Sequence, residues 1–592
     1  MAAEGTLLGC LFCIYFLNGK HRMTYGRPVM TNFWQILWAC ALAIGWLLPN
    51  HYHPWLSFHT DTWIALICSI ASFAAILRVR GPLPWHRITA LTALLPCIVW
   101  IQYAFDIVPM IGNAWISSAY LLGFLLALLT GARWEASNSG QFLDALFLAI
   151  GAAALLSVGL QLHTWLGLEG LELWSMGGGP ARPHANFGQP NQLGTFLLWG
   201  LLAVAWGWLH KRIGVWPALL MSAYLLFGIA LTASRTAWIG VFLLVCISWF
   251  WRGLWRDFRL PWVMSGLGLY FVVCVVLLGW WQYSSHMQGG GAQVDIADVA
   301  RMSGGTRQLA WAAFADALSQ QPWLGFGWNQ SGLAQMMVAA EHPPVGSFFS
   351  YSHNLFFDVF LWCGIPLGLL ISGALLWWFW KRFRAVRTAE NAVLFVFLLI
   401  IANHAMLELP LYFAYFLLPA GMMMGVLNVR LGAKPVVYTS RWIFFAIWLA
   451  ATMLLALIIR DYSRVETSYR ILRMEWYNFT MSRPHGPPDV LLLTQWQDYM
   501  RYARFEPRAG LTNEELDWMR NVTGLYPNMI FFNKIATAMA LNQRPDEAAL
   551  WLRRLCKLAP KGQCLLVRED WARQSLKNPA IAAVPWPVEV EK

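Results

Sequence analysis

Apolar stretches long enough to cross a lipid bilayer recur through most of this 592-residue chain. Hydropathy predicts about thirteen of them, within a range of roughly 12 to 14, between residues 34 and 459. Only 12% of the residues are charged, and the mean hydropathy is +0.49. The pattern therefore predicts an all-α polytopic membrane protein, because helices satisfy their own backbone groups in lipid. The predicted spans lie near residues 34–49, 62–77, 88–105, 115–131, 142–162, 191–209, 215–231, 236–250, 261–281, 355–380, 391–407, 412–428 and 442–459.

Basic residues occupy every second loop between these spans, which the positive-inside rule places in the cytoplasm. Most of the net charge of +12 is therefore topological or lies in the C-terminal tail, and it does not indicate nucleic-acid binding. The lipid bilayer itself is the partner that this composition predicts. The basic set comprises Lys20, Arg22, Arg27, Arg78, Arg80, Arg87, Arg133, Lys211, Arg212, Arg252, Arg256, Arg259, Lys381, Arg382, Arg384, Arg387, Arg430, Lys434 and Arg441.

The opposite, outward loops hold only four basic residues, Arg182, Arg235, Arg301 and Arg307. Membrane orientation gives no reason to keep cations on that side, so they favour an anionic ligand at the outer surface. For Arg235, snorkelling to lipid headgroups remains an alternative. Arg301 is the least distinctive of the four.

Composition divides the chain into five segments. The N-terminal segment contains an apolar run from Leu7 to Leu17, which is either an extra span or lies upstream of a true start at Met23. The segments are residues 1–33, a first transmembrane region 34–281, a long outward loop 282–354, a second transmembrane region 355–459, and an outward soluble helical domain 460–592.

The C-terminal domain shows helical patterns at 514–523 and 528–541, with Pro545 opening another helix. This rhythm resembles one degenerate tetratricopeptide unit, and a small helical cap fits it equally well. The same domain contains Cys556 and Cys564. The two cysteines can pair if the domain lies outside the cytoplasm, and the sequence leaves that open.

A dense polar segment runs from Arg182 to Gln192 at the mouth of one span. Its amides, Gln189 and Asn191 among them, are costly to place near hydrocarbon without partners. Asn191 could cap the following helix. Capping does not need three amides and an arginine, however, so the segment favours a binding role.

His353 stands between Ser352 and Asn354, where the long loop meets the next apolar span. A histidine at such a point has a defined position, and its titration range suits proton transfer near neutral pH. His404 and Glu408, at the outer end of another span, are further polar groups in apolar surroundings.

A location at the outward-facing surface of the membrane limits the reactions that such a site can catalyse. ATP is not expected there, and the sequence has no P-loop, H-E-x-x-H or G-x-S-x-G motif. A lipid-linked pyrophosphate sugar would arrive already activated, and its diphosphate is a good leaving group that arginines bind well. The acceptor hydroxyl needs a base. This division of labour predicts several arginines and one histidine.

Several motifs between about 140 and 430 resemble those of the PglL-type bacterial protein O-oligosaccharyltransferases, in the superfamily of O-antigen ligases and Wzy polymerases. Together the Gln-Pro-Asn and Ser-His-Asn elements are fairly specific, whereas each alone is weak. The motifs are Asn186–Gly194, Ala233–Thr236, Arg307–Trp311, Pro322–Asn329, Tyr351–Asn354 with Gly364-Ile365, and Met406–Leu411 with Tyr415.

The resemblance implies a GT-C-like fold in the bacterial inner membrane, with the active site facing the periplasm. It implies glycan transfer from undecaprenyl pyrophosphate to Ser or Thr hydroxyls of periplasmic proteins such as pilins, without metal or nucleotide. It assigns catalysis to His353. It implies donor binding by Gln189, Arg235 and Arg307, and the polar segment predicts Arg182 and Asn191 as further donor-binding residues. Supporting residues in family motifs are Ser352, Asn354, Glu408 and Tyr415.

Two rival functions remain. An O-antigen ligase would use lipid A–core as acceptor, but such ligases usually end soon after the last span, unlike this chain. A non-catalytic carrier of lipid-linked glycans would place its polar residues near the bilayer midplane rather than at one surface. The resemblance and the outward polar residues favour the oligosaccharyltransferase.

Overall fold

The computed structural model describes residues 33–78, 81–137, 140–176, 182–287, 296–477, 479 and 486–587, with the side chains at 256–258, 282–287 and 296–304 left out. The apolar run from Leu7 to Leu17 and the side chain of Arg301 lie outside this description. The described chain is helical apart from two three-residue strands, β1 (Leu83–Trp85) and β2 (Val437–Thr439), which pair antiparallel.

The helices follow one another through the whole described chain. In order they are α1 (Phe33–Leu47), α2 (Phe58–Arg78), α3 (Arg87–Ala104), α4 (Ile111–Ala136), α5 (Gln141–Trp165), α6 (Pro190–Leu209), α7 (Val215–Leu231), α8 (Arg235–Phe250), α9 (Leu260–Met287), α10 (Ile296–Gln320), α11 (Ser331–Val338), α12 (Leu355–Ala385), α13 (Ala389–Ala405), α14 (Ala414–Arg430), α15 (Arg441–Trp476), α16 (Thr494–Arg504), α17 (Asn513–Leu525), α18 (Met529–Leu541), α19 (Pro545–Leu558), α20 (Lys561–Ser575) and α21 (Pro579–Ala582).

Each predicted span coincides with one of these helices, so the helical fold class is confirmed. Within the described ranges, eight helices are long and apolar enough to cross a membrane, namely α2 to α6, α9, α12 and α15. The other five, α1, α7, α8, α13 and α14, have 15 to 17 residues, fewer than the ~20 that a straight span needs. A count of thirteen spans therefore stays a prediction.

The chain divides into two compact units, and the five predicted segments stay a prediction. Unit 1 comprises residues 1–93, 121–296 and 376–453. Its central helix is α6, which packs against α5, α7, α8 and α13. Midway along α6, the buried Trp199 stacks on Phe397 with ring centroids 4.0 Å apart and donates its indole N–H to the Phe397 carbonyl. Such an aromatic pair adds about 0.5–1.5 kcal/mol beyond simple burial.

Helices α4 and α14 of unit 1 approach backbone to backbone. A Cβ on Gly131 would overlap the Met422 carbonyl, and one on Gly425 would overlap the Leu128 carbonyl. Small residues permit this contact, which is how apolar helices gain packing energy where lipid supplies no hydrophobic drive.

Unit 2 comprises residues 94–120, 297–375 and 454–592. Its helix α12 breaks at Gly364, whose φ of 74° lies in the left-handed region. The break frees carbonyls in the preceding turn, and the Gly-rich segment before α11 pairs with them. The N–H of Phe326 donates to the Leu361 carbonyl at 2.7 Å, and that of Gly327 to the Trp362 carbonyl at 3.2 Å. The Pro322–Asn329 motif thus clamps the kink.

The C-terminal helices α16 to α21 form the rest of unit 2. Asp461 of α15, fully buried, accepts hydrogen bonds from the main-chain N–H groups of residues 491–493 and so ties these helices to α15. The helices predicted at 514–523, 528–541 and after Pro545 are confirmed as α17, α18 and α19. Cys556 and Cys564 form a disulfide. A tetratricopeptide likeness stays a prediction.

Candidate functional site

The polar segment at the start of α6 is organised by Pro190. A proline suits the first helical position, so Gln189 becomes the N-cap with extended φ and ψ of −161° and 157°. Asn191 therefore lies in the first turn, and its interpretation as the cap is wrong. Its amide is committed elsewhere: Nδ2 donates to Oε1 of Glu408 at 3.0 Å, and Oδ1 accepts from the Ser234 hydroxyl at 2.7 Å.

Ser234 also fixes the position of Arg235. Its hydroxyl accepts the main-chain N–H of Ala237 and caps α8, so Arg235 is the first residue of that helix and is exposed. A Cβ on Gly194 would meet that of Ala237, which shows how closely α6 and α8 approach here. The N-terminus of α8 adds partial positive charge to this arginine.

Arg182 reaches the same turn from the preceding loop. Its guanidinium donates to the carbonyls of Thr232 and Ala233, at 3.3 and 3.4 Å. Burial and then the nearby charge of Arg235 lower the pKa of Arg182, and the charge of Glu408 partly offsets this. We call Arg182, Asn191, Arg235 and Glu408 the cation group.

The cation group holds two like charges near each other with one carboxylate. Electrostatic repulsion between the arginines decreases when an anion binds, because the ligand adds negative charge beside them. The arrangement is therefore suited to a doubly charged anion such as a diphosphate, whose oxygens accept hydrogen bonds from the planar guanidinium forks.

His184 lies beside the cation group and was not assigned a role from the sequence. Burial lowers its pKa to about 4, with further contributions from the charges of Arg182 and His51. The imidazole is therefore neutral at neutral pH and adds no third positive charge.

A cavity of about 220 Å³ lies in unit 1 and is bordered by Gln189. Next to it, the buried Tyr415 donates its hydroxyl to Oε1 of Gln192 at 2.9 Å, and its main-chain N–H donates to Asp61 at 3.2 Å. The structure thus brings Tyr415 together with Gln189 around this cavity.

His353 belongs to unit 2 and occupies the residue before the cap of α12. Its φ of 60° lies in the left-handed region, which costs a non-glycine residue of order 1–3 kcal/mol. Asn354 follows as the cap and accepts the N–H of Phe357 at 3.1 Å. Strain of this kind concentrates at functional positions because the surrounding contacts must hold it in place.

Those surrounding contacts centre on Ser352. Its main-chain N–H donates to the buried Asp358 at 2.8 Å, and its carbonyl accepts the indole N–H of Trp311 at 2.6 Å. Asp358 also accepts the hydroxyl of Ser331 at 2.7 Å. We call Trp311, Ser331, Ser352, His353, Asn354 and Asp358 the histidine corner. Arg307 lies on α10 one helical turn before Trp311 and is half-buried.

The C-terminal helices contact the loop that leads to His353. The main-chain N–H groups of Val345 and Gly346 both donate to the Lys557 carbonyl, at 2.8 and 3.3 Å. The ring of Phe348 packs against that of Phe532 with centroids 5.6 Å apart. The C-terminal domain therefore anchors the loop, a role that the sequence left open.

The predicted residues fall into two sets. Within unit 1 the structure brings together Arg182, Asn191, Arg235 and Glu408, with Gln189 and Tyr415 at the adjoining cavity. Within unit 2 it joins Ser352, His353 and Asn354, with Arg307 near Trp311 on α10. The combination of both sets in one catalytic site stays a prediction.

Asp358 and Ser331 were missed from the sequence. A usable signal existed for Asp358, because a carboxylate inside an apolar helix is rare and marks a polar network. Ser331 and Ser234 carry no such signal, since small hydroxyl residues are common at helix starts.

Three family models match the chain. One described as the C-terminal region of a virulence factor membrane-bound polymerase matches residues 392–571, one described as O-antigen ligase matches 220–372, and one described as protein glycosylation ligase matches 183–210. The O-antigen ligase match contains Arg235 of the cation group and the whole histidine corner. The protein glycosylation ligase match contains the polar residues at the start of α6.

Two proteins of Acinetobacter baylyi are similar to the chain. A general O-oligosaccharyltransferase is 30% identical over 580 residues, which cover 96% of this chain and 98% of that protein. A ComP-specific O-oligosaccharyltransferase is 29% identical over 252 residues, which cover 42% of this chain and 44% of that protein.

Proposed function

The chain belongs to the PglL-type O-oligosaccharyltransferases, which are membrane glycosyltransferases, and from that premise we propose that it transfers a glycan from undecaprenyl pyrophosphate to Ser or Thr hydroxyls of periplasmic proteins such as pilins. The observation that carries the proposal is the cation group, in which Arg182 and Arg235 meet at one turn and lie close enough for the charge of Arg235 to lower the pKa of Arg182. The disulfide between Cys556 and Cys564 supports a location of the C-terminal domain outside the cytoplasm.

In the proposed reaction the cation group binds the diphosphate of the donor, with Arg307 as a further contributor. Asn191 holds its position through Glu408 and Ser234 and so keeps the start of α6 in register with α8. Gln189 contacts the donor at the mouth of the adjoining cavity. Arginine forks stabilise the diphosphate as it leaves, so no general acid is needed.

His353 acts as the base in this proposal. Its imidazole takes the proton of the acceptor hydroxyl while that oxygen attacks the anomeric carbon of the first sugar. The bond from that carbon to the diphosphate breaks, and undecaprenyl pyrophosphate leaves with the electron pair. Ser352, Asn354 and Asp358 orient the imidazole by holding its backbone in the left-handed conformation.

The test is transfer by the purified protein. The protein in lipid nanodiscs is mixed with an undecaprenyl-pyrophosphate-linked glycan and a pilin, without nucleotide and with a chelator, and the pilin is analysed by mass spectrometry. We expect a glycan on a Ser or Thr residue. Replacing pilin by lipid A–core tests the O-antigen ligase alternative, and transfer to lipid A–core alone would overturn the proposal. Tight donor binding with no transfer to either acceptor would support the carrier instead.

A further inference from the structure

The cavity of about 220 Å³ in unit 1 is lined by residues that recognise neutral polar rings. Its wall combines four aromatic side chains with several amide and hydroxyl groups. The aromatic residues are Trp46, Phe187, Phe413 and Tyr415, and the polar ones include Ser57, Thr60, Gln189 and Gln192. Apolar walls with a few placed polar groups are the usual composition of a small-molecule site.

Thr60 provides an independent sign of a ligand. Its side chain is 6% exposed, lines the cavity, and its hydroxyl oxygen has no hydrogen-bond partner within the described residues. A buried hydroxyl without a partner is energetically costly, because it has lost its hydrogen bonds to water. A ligand hydroxyl or carbonyl in the cavity would remove that cost.

The charge of the lining narrows the ligand class. Among the described residues that border the cavity, none is Asp, Glu, Lys or Arg, so a diphosphate or carboxylate gains no ion pair there. An isoprenoid chain would leave the Thr60 hydroxyl without a partner. A pyranose ring satisfies both requirements, because its hydroxyls bond to amides and hydroxyls while its C–H face packs on aromatic faces.

The volume and position of the cavity indicate which sugar ring of the donor it would hold. A cavity of about 220 Å³ is smaller than the ~300–1,000 Å³ of sites for drug-sized ligands and has room for one ring. Gln189 borders the cavity as the cap of α6, and Asn191 of the cation group lies in the first turn of the same helix. A ring in the cavity is therefore next to the place where the diphosphate would bind.

We propose that this cavity binds the sugar ring directly attached to the diphosphate of the donor, and so selects the first sugar of the glycan. The inference rests on the proposed function, because it takes the cation group as the diphosphate site. It assigns Thr60 to hydrogen bonding with a ring hydroxyl and the aromatic wall to packing against the C–H face. Neither residue takes part in bond breaking, so both act on donor recognition.

Two substitutions test the cavity. Thr60→Val removes the hydroxyl at constant volume, and Leu56→Trp fills the space, since Leu56 lines the cavity. The matched control is Thr92→Val, which removes an equally buried hydroxyl whose bond runs to the Ile88 carbonyl of its own helix. Each purified variant is assayed for binding of undecaprenyl pyrophosphate alone, and of undecaprenyl pyrophosphate carrying one N-acetylhexosamine, and for transfer to pilin.

We expect Thr60→Val to weaken binding of the sugar-bearing lipid about five- to tenfold, with an unchanged thermal midpoint because the hydroxyl has no partner to lose. Leu56→Trp should weaken it more than about tenfold. Both variants should bind the sugar-free lipid like wild type, and Thr92→Val should bind both lipids like wild type.

Equal affinity of all variants for the sugar-bearing lipid would overturn the proposal. Equal losses for both lipids would also overturn it, because the cavity would then hold the isoprenoid or diphosphate. Failure of the proposed function is a separate result, namely wild-type protein that binds neither lipid or transfers nothing. A lower thermal unfolding midpoint for Thr60→Val than for wild type would show that the hydroxyl has a structural role, and this result would also overturn the proposal.

Discussion

The cation group and the histidine corner hold their functional side chains in opposite ways. In the cation group, positions depend on side-chain contacts: Arg182 donates to two carbonyls, and Asn191 links Ser234 to Glu408. In the histidine corner, the backbone sets the position: His353 has a φ of 60° and is followed directly by the cap of α12. The cation group places two positive charges near each other, and the histidine corner holds one residue in an unfavourable backbone conformation.

The difference assigns each region a different part of catalysis. Repulsion between arginines is released by a charged ligand, so the cation group is built for binding. Backbone strain at His353 is not relieved by a bound ligand. It is the consequence of contacts that hold the reacting side chain in one defined position. Changes in the first region should therefore alter donor affinity, and changes in the second should alter the turnover rate.

The largest expected effect is at His353. His353→Asn keeps a residue that tolerates the left-handed conformation but removes the base, so we expect kcat to fall about 10²- to 10⁴-fold with unchanged donor affinity. His353→Ala should abolish transfer while the protein still inserts in the membrane. The measurement is glycan transfer to pilin, with the thermal midpoint as a check of folding.

His342→Gln is the matched control for His353, because His342 lies in the same loop and bonds to Asp316 at 3.0 Å. It should retain near-wild-type turnover. Activity of His353→Asn above a tenth of wild type would remove the histidine from the mechanism.

The next largest effect separates a binding arginine from a structural one. Arg182→Gln removes a charge that binds the diphosphate, so we expect the donor KM to rise about tenfold or more. Loss of its bonds to the carbonyls of Thr232 and Ala233 is offset by relief of the repulsion from Arg235, so thermal stability should change less than in Arg430→Gln. Arg430, by contrast, forms a shielded ion pair with Glu135 at 2.8 Å. Arg430→Gln should cost about 3 kcal/mol of stability and leave the donor KM unchanged.

KM is measured with varied donor at saturating pilin, and stability by thermal unfolding in the same detergent. If both arginine variants changed the same quantity, the contrast between repelling and paired arginines would be lost. Arg235 variants should likewise weaken donor use more than acceptor use.

A smaller effect is expected from the anchor of the histidine loop. Replacing Cys556 and Cys564 by serine frees the turn whose Lys557 carbonyl accepts from Val345 and Gly346. A disulfide over so short a loop contributes about 2–3 kcal/mol locally. We expect kcat to fall severalfold, because the loop before His353 loosens, and donor affinity to stay constant. Proteolysis of the loop reports the loosening, and wild-type kcat despite faster cleavage would show that the anchor is irrelevant to turnover.

The smallest effect concerns pH and His184. Its folded pKa of about 4 lies below the ordinary value of 6.5, so the unfolded chain binds a proton first as pH falls. Stability is therefore full above both values and decreases as pH drops through 6.5 toward 4, by about 2 kcal/mol between pH 8 and pH 5.

His184→Gln should lose that component of the pH dependence and keep its transfer activity at neutral pH. The measurement is the unfolding midpoint of both proteins from pH 8 to pH 5. Identical slopes would show that His184 is not held neutral beside the cation group.

Sequence reasoning predicted the helices well because an apolar run is a local property. Each predicted span coincides with a helix, and the predicted bounds at 231 and 236 match the short turn between α7 and α8. The alternative in which Asn191 caps α6 is wrong, because Pro190 takes the first helical position and so makes Gln189 the cap.

Residues in the site were harder to predict when their partners are distant in sequence. The bond from the Tyr415 N–H to Asp61 joins residues 354 positions apart, and that from Asn191 to Glu408 joins residues 217 apart. Local patterns do not encode such pairings. Motif resemblance identified Tyr415 and Glu408, whereas Thr60 required the packed structure.

Translation order has a consequence for the contact between Lys557 and the backbone at 345–346. Ribosomes make the chain from its N-terminus, so Lys557 is synthesised about 200 residues after His353. Every residue proposed for catalysis is thus present in a nascent chain that still lacks the anchor. A polypeptide ended before Pro545 should insert its spans yet lack the two Lys557 bonds to the loop before His353, so we expect full anchoring of that loop only after α19 has been made.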